Sequence, residues 1–440
     1  MTSATSDQEL LRTLDLRDAE AAALAALLPR PAGGDMDEAE SVAREIVASV
    51  RERGDQALLE YEREFDCPAL AREQLAVTES EIAAAYEQVD DRWLRAARRA
   101  IVNVRRYHEA VLPASWSRDF DGVQLGQQII PVDRAGIYAP AGKAPLPSSL
   151  IMSAIPARVA GVRELIVASP PNREGAMEPI IVVAARECQA DAIYKMGGAQ
   201  AIAAMAYGTE TIPKVDVIAG PGNPYVVAAK RLVYGEVGIE SLPGPSETCV
   251  IADGSVNAAY VAADLLSQAE HGRDSPALLV TDDQGLIASV NGQLASQLAA
   301  LERADSARES LRDYGAAVLV CDMEQAVEVT NALAPEHCQV LAEHADEIAG
   351  CIRHAGCIFV GEHSTVPLGD YLAGPSHVLP TNRTARFSSA LSVDVFLKKV
   401  STIKASAEGL ANMAEDCIAL AEAEGLTAHA EAVRIRRDER

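Results

Sequence analysis

Nowhere in this chain do about 18 uncharged apolar residues follow one another, which leaves no candidate for a membrane-spanning helix. The opening residues, Met1-Thr-Ser-Ala-Thr-Ser-Asp7, hold neither a basic stretch nor an apolar one. No export signal is expected, and the protein is read as cytoplasmic. Paired cysteines are missing too. The eight cysteines (Cys67, Cys188, Cys249, Cys321, Cys338, Cys351, Cys357, Cys417) contain no CxxC. That argues against a cysteine-held zinc and for buried thiols in a reducing compartment. Excess positive charge is also absent. The formal net charge of -25 argues against non-specific binding to nucleic acid or to an anionic membrane. Aromatic residues are scarce, at 4%, and Ala fills many helical stretches instead. There is no GxGxxG, so the standard dinucleotide fingerprint is lacking.

What is present is an ordinary globular composition, 49% hydrophobic and 23% charged, in 440 residues. That length suffices for two or three domains with substantial cores. Residues 1 to about 118 read as mostly helix, with amphipathic stretches at 38–53 and 90–108 and an edge strand at 14–17. From about residue 125 the texture changes. Short apolar runs at 129–132, 135–138, 164–168, 192–195 and 215–218 alternate with helix-like stretches at 148–161, 178–188, 200–207 and 224–233. Strands then recur at 248–251, 278–281, 317–321, 338–341 and 358–360, again with helices between. This alternation predicts parallel sheets covered on both faces, hence an α/β chain with two doubly wound, Rossmann-like modules. The end of the chain, a helix at 407–424 and a charged tail, is too short to bury its own core. It must pack on another domain or another subunit.

Polar residues gather in particular stretches. Asp264-Leu-Leu-Ser-Gln-Ala-Glu-His-Gly272 reads as the last turns of a helix stopped by Gly272. Gln268 and His271 leave the same face, with Asp264 one turn earlier on that row. An amide oxygen and a neutral imidazole at one helix end make half of a metal site, although the same pair also occurs on any solvated flank. Glycine turns follow three of the strands, at Tyr138-Ala-Pro-Ala-Gly142, Met196-Gly-Gly-Ala-Gln200 and Gly220-Pro-Gly-Asn-Pro224. Ligands of open parallel sheets sit outside the carboxyl ends of strands, and such turns let a backbone approach a dinucleotide. Tight connections without a ligand have the same look. Further on, Ala334-Pro-Glu-His-Cys338 sets a carboxylate beside an imidazole, a pair able to divide acid and base roles. Asp370, His377, Glu424 and His429 lie in other segments rich in turn residues. A Gln, an Asp and two His form an N/O set suited to zinc or a similar divalent ion.

The order of these stretches along the chain resembles the histidinol dehydrogenase family. The resemblance runs from about Leu14 to Arg434 and rests on Arg53-Gly-Asp-Gln-Ala57, Gly136-Ile-Tyr138, Gly197-Gly-Ala-Gln200 and Gly220-Pro-Gly-Asn223. It continues through Gly244-Pro-Ser-Glu247, Leu266-Ser-Gln-Ala-Glu-His271, Pro335-Glu-His337, Gly369-Asp-Tyr371, His377-Val-Leu-Pro-Thr381 and Ala385-Arg-Phe-Ser-Ser389. The chain departs from the usual family pattern at the Ala-Pro-Ala-Gly turn, at Leu146, at Pro243 and at Ser376.

The resemblance implies an NAD-dependent, zinc-dependent oxidation of L-histidinol to L-histidine by way of bound L-histidinal. It places zinc on Gln268, His271, Asp370 and His429, and the acid/base pair on Glu336 and His337. Substrate contacts fall on Ser246, Gln268, His271, His337, Asp370, His377, Glu424 and His429. NAD contacts fall on Tyr138, Gln200 and Asn223. It also implies a homodimer with shared sites, in which a C-terminal extension at 385–440 crosses to the partner. The division expected is an N-terminal extension at 1–34, one discontinuous α/β domain at 35–137 and 248–384, and a second α/β domain at 138–247. Two other readings use the same residues. A sister dehydrogenase would oxidise a different small primary alcohol, such as a sulfonated diol. A zinc hydrolase would activate water and show no dependence on NAD.

Overall fold

The computed structural model describes residues 10–19, 36–141 and 145–438. The expected extension at 1–34 lies largely outside the described residues, and so does Gly142 of the first glycine turn. Fourteen strands lie within them: β1 Arg12–Asp15, β2 Trp116–Phe120, β3 Val123–Pro131, β4 Arg134–Tyr138, β5 Glu164–Ser169, β6 Ala192–Lys195 and β7 Val217–Ala219. The rest are β8 Gly238–Ile239, β9 Thr248–Ala252, β10 Ala277–Thr281, β11 Ala316–Leu319, β12 His337–Leu341, β13 Cys357–Val360 and β14 Leu397–Ala405.

They make three sheets. A five-stranded parallel sheet has the order β6-β5-β4-β7-β8, and a six-stranded parallel sheet has the order β1-β11-β10-β9-β12-β13. Their central strands are buried along their whole length, β9, β10 and β12 without a single exposed residue, as expected for strands covered by helices on both faces. The α/β class and the two parallel modules are therefore as the alternation predicted.

The third sheet, β14-β3-β2, is antiparallel. The sequence reading placed a strand at 129–132 in the parallel series, whereas β3 begins earlier and belongs here. Its partner β14 lies more than 250 residues away in sequence, with Leu397 opposite Pro131. All five residues of β2 are exposed, so it carries no apolar alternation to read.

The N-terminal helices pack against helices of the five-stranded module. Helix Met36–Arg53 presents Ala39, Ala43, Ile46, Val47 and Val50 at helical spacing. It packs on helices Gly198–Tyr207 and Pro224–Val233 of the five-stranded module. Helix Asp91–Ala110 is capped by Asp90, whose carboxylate accepts from Arg92 and Trp93 N–H. It packs on helix Pro147–Ala160 of the same module. An amphipathic face announces that it will be buried but not against which sheet. Both helices thus pack on the module of 134–239, and Asn103 of the second also donates to the Leu372 carbonyl at 2.8 Å.

Candidate active site

The polar stretches collect at the amino ends of β9, β12 and β13. His337, the first residue of β12, lies between Thr248 of β9 and Cys357 of β13 in register. Helix Ala258–Ala269 runs back from β9, so its C-terminal end arrives at this same edge with Gln268. The helix stops at Ala269, earlier than Gly272, and His271 stands in the turn just past it. Helix Val366–Tyr371 runs back from β13 and delivers Asp370. This is the opposite edge from the carboxyl ends, outside which ligands of open parallel sheets generally sit. Here the returning helix and the loops before the strands carry the polar groups.

Glu336 and His337 are both buried, at 6% and 3% exposure. The Glu336 carboxylate accepts from the Glu247 backbone N–H at 2.9 Å and from the Ser246 hydroxyl. Burial raises its pKa, against the opposing pull of His337 and these two donors. His337 Nδ1 lies 3.2 Å from the Glu247 carbonyl and 3.6 Å from Glu336 Oε2. In the neutral ring, an Nδ1–H tautomer would donate to that carbonyl and leave the Nε2 lone pair free. Nε2 has no hydrogen-bond partner and lies 3.8 Å from Asp370 Oδ1. Burial opposes the charged imidazole, but Glu336 and Asp370 outweigh it and lift the pKa to about 9.

His377 is fixed at both ring nitrogens, Nδ1 at 2.8 Å from the Asp370 carbonyl and Nε2 at 3.1 Å from Ser149 Oγ. Ser149 belongs to helix Pro147–Ala160, so this contact ties the two modules together. Burial lowers the pKa of His377. His271 is open to solvent at the rim, yet the protein around it lowers its pKa as well, while Asp370 pulls the other way. Gln268 is 2% exposed, and its Nε2 has no hydrogen-bond partner. The two ends of an amide exchange by rotation, so this side chain offers a donor or an acceptor to the cleft.

The glycine turns lie at the carboxyl ends of β4, β6 and β7, as the sequence predicted. Tyr138 is buried and its hydroxyl accepts from Gly198 N–H at 3.2 Å. Gln200 is buried and donates from Nε2 to Glu62 Oε1 at 3.0 Å. Asn223 is exposed and caps helix Pro224–Val233 by accepting from Val226 N–H. Gly220 has φ +126°, and a Cβ there would lie 2.0 Å from the Tyr138 carbonyl oxygen, so only glycine fits. Its N–H donates to Glu240 Oε1, and its carbonyl accepts from Lys230 Nζ. Lys230 and Glu240 form an ion pair of 2.6 Å that is wholly buried. A cavity of about 460 Å³ opens between the two edges, lined in part by Pro221, Gly222, Leu242, Pro245 and Asn382.

One chain gathers Ser246, Glu336, His337, Asp370 and His377, with Gln268 and His271 on the facing helix end. It does not bring Glu424 and His429 to them. Both are exposed, on a hairpin of helices Ala407–Ala423 and Thr427–Asp438 whose main contacts are with each other and with β14. Among the described residues no three His, Cys, Asp or Glu side chains group as a metal site. The donor set within one chain is an amide, an imidazole and a carboxylate. It suits a divalent ion that takes its fourth ligand from elsewhere. Sequence reasoning gave no role to Glu62, Ser149, Glu247 or Gln339. Their contacts span up to 228 residues, or use the backbone, and neither leaves a mark in local sequence.

A family model described as histidinol dehydrogenase matches residues 30–437. The chain belongs to the histidinol dehydrogenase family. It is 50% identical to a histidinol dehydrogenase of Moorella thermoacetica, over 90% of this chain and 93% of that one. It is 47% identical to one of Geobacter sulfurreducens, over 97% of this chain and all of that one. The crystal structure of histidinol dehydrogenase from Elizabethkingia anophelis superposes with a TM-score of 0.92 at 35% identity, covering 98% of this chain and 99% of that one. As a member of the histidinol dehydrogenase family, the chain is an oxidoreductase. No described helix is long and apolar enough to cross a membrane.

Proposed function

We propose that this chain oxidises L-histidinol to L-histidine in two steps, each transferring a hydride to NAD, with one zinc ion per site. The observation that carries the reading is the buried ring of His337, its Nδ1 turned towards Glu336 and its Nε2 towards Asp370, in a chain of this family. Gln268, His271, Asp370 and His429 of the partner subunit would hold a zinc ion, which would supply a fixed charge for positioning the substrate. His337 Nε2 takes the alcohol proton as hydride leaves for NAD. The resulting aldehyde stays bound between His377, Ser246 and Glu424. Glu336, whose pKa is raised by burial, takes a proton from the water that adds to the aldehyde, while the protonated His337 returns its proton to the carbonyl oxygen and becomes a base again. His337 takes the hydrate's proton as the second hydride leaves for a second NAD.

The cofactor would lie along the glycine turns, with Tyr138, Gln200 and Asn223 as its contacts. The C-terminal hairpin supports a dimer. Its Met413, Leu420, Leu426 and Ile435 are exposed, Leu420 at 68%, which leaves an apolar face that a second copy would cover. That arrangement would bring Glu424 and His429 to the partner's site.

The test is NADH formation from L-histidinol by the zinc-loaded protein. Two NADH per histidinol, lost on chelation, is the expected result. Turnover of another primary alcohol with no response to histidinol would move the chain to a sister activity.

A further inference from the structure

The carboxylate of Asp264 touches none of the groups to which the reaction is assigned, yet it is 8% exposed and fully engaged. Its Oδ2 accepts from Gln339 Nε2 at 2.6 Å, and its Oδ1 accepts from Thr365 Oγ1 at 2.9 Å. Asp264 and these two partners come from the three segments that build the site. Asp264 lies one helical turn before Gln268 and two before His271. Gln339 follows His337 by two residues on β12 and therefore points to the same face of the sheet. Thr365 is the N-cap residue of helix Val366–Tyr371, which carries Asp370.

Thr365 decides the matter. A threonine at this position ordinarily turns its hydroxyl onto the first N–H groups of its own helix. Here it makes no such cap and gives its proton to Asp264 instead. Gln339 Nε2 adds a longer contact to the Ser364 carbonyl, at 3.3 Å, on the same loop. A helix that forgoes its cap to tie itself to a buried carboxylate is held in place from outside.

We propose that Asp264 is a positioning residue. It fixes the helix end bearing Gln268 and His271, the strand bearing His337, and the helix bearing Asp370 in one geometry, so that the metal ligands converge before metal arrives. This rests on the proposed zinc site. Groups behind metal ligands typically alter affinity 10- to 100-fold.

The experiment measures zinc affinity of the full-length protein by competition with a chromophoric chelator, alongside kcat and KM for histidinol and the thermal midpoint. Thr365→Val keeps the shape and removes the hydroxyl, Thr365→Ser restores it, and Asp264→Asn removes the charge. Thr365→Val and Asp264→Asn are expected to weaken zinc about 10-fold or more and to lower kcat, with the thermal midpoint of the metal-free protein changed little. Thr365→Ser is expected to stay within about 2-fold of the parent. Equal zinc affinity in parent and Thr365→Val overturns the positioning role. Should Asp264→Asn fail to fold, the two Thr365 variants decide. A parent protein that binds no zinc overturns the metal reading itself and the inference with it.

Discussion

The two parallel sheets are built by one rule and used in opposite ways. In the five-stranded sheet the polar business lies at the carboxyl ends and is conducted by the backbone. Gly220 is pressed against the Tyr138 carbonyl, and Gly198 N–H meets the Tyr138 hydroxyl. In the six-stranded sheet it lies at the amino ends and is conducted by side chains. Glu336 and His337 enter β12 there, and helix ends bring Gln268 and Asp370. A carboxyl edge offers free N–H groups and helix starts, which suit a long ligand that must be cradled. An amino edge offers helix C-terminal ends and loops, where side chains project freely and favour a cation. The difference predicts that substitutions at the amino edge will stop chemistry while leaving the fold intact. Those at the carboxyl edge should damage the fold first.

The sharpest test is His337→Asn, which removes Nε2 and leaves the strand. It should lower kcat of both oxidations by ~100- to 10,000-fold. Chemical unfolding should change little by comparison. Glu336→Gln should spare the alcohol step and stall at the aldehyde, which quenched-flow analysis of intermediates would detect. A Glu336→Gln protein that converts histidinal at the parental rate would contradict the role given to that carboxylate.

Lys230→Met is the counterpart on the other edge. It strands Glu240 without its partner in a wholly buried place, and breaking such pairs costs about 3–5 kcal/mol. Urea unfolding should show that loss. Because the pair also holds both backbone groups of Gly220, KM for NAD should rise. A variant as stable as the parent would mean that the carboxyl edge does not depend on its buried ions.

A third measurement follows His337 by NMR in the metal-free protein. Its resonance should titrate near 9, because Glu336 and Asp370 favour the charged ring. The sign for stability follows. The favourable contribution is complete below the ordinary imidazole value of about 6.5 and disappears as pH rises through about 9. Zinc at Asp370 should pull the titration down, since a cation cancels part of the carboxylate field.

The sequence made one edge far more legible than the other. Apolar runs alternating with helices announced both parallel sheets, and three glycine turns marked the carboxyl ends before any coordinates. The amino-edge cluster left a fainter trace. Glu336 and His337 are adjacent, but Asp370, Gln268 and Ser149 join them from far along the chain, and only the family resemblance linked them. The antiparallel sheet was missed because β2 is exposed throughout and β14 nearly so, leaving no periodic face. Which elements helices 36–110 pack against is not legible in sequence, because amphipathicity does not name a partner.

The smallest expected effect concerns the acid behind the Gly197 turn. Glu62 is fully buried, and its Oε1 accepts from Gly197 N–H at 2.8 Å and from Gln200 Nε2 at 3.0 Å. Burial and the neighbouring Asp66 raise its pKa well above the ordinary carboxyl value. Above the ordinary carboxyl value the folded state therefore holds this proton more firmly than the unfolded state does. Stability from this group is complete at low pH and declines as pH rises from about 4.5 towards the folded value. Glu62→Gln keeps the accepting oxygen and has no proton to lose. Near pH 5 the variant should lie within about 1 kcal/mol of the parent, since a neutral isostere preserves both hydrogen bonds. As pH rises it should gain on the parent in urea unfolding, while KM for NAD stays the same because the turn is held by the same oxygen. Parallel stability curves would show that Glu62 is already ionised in the fold. The carboxyl edge would then hold a buried charge at this turn as it does at Gly220.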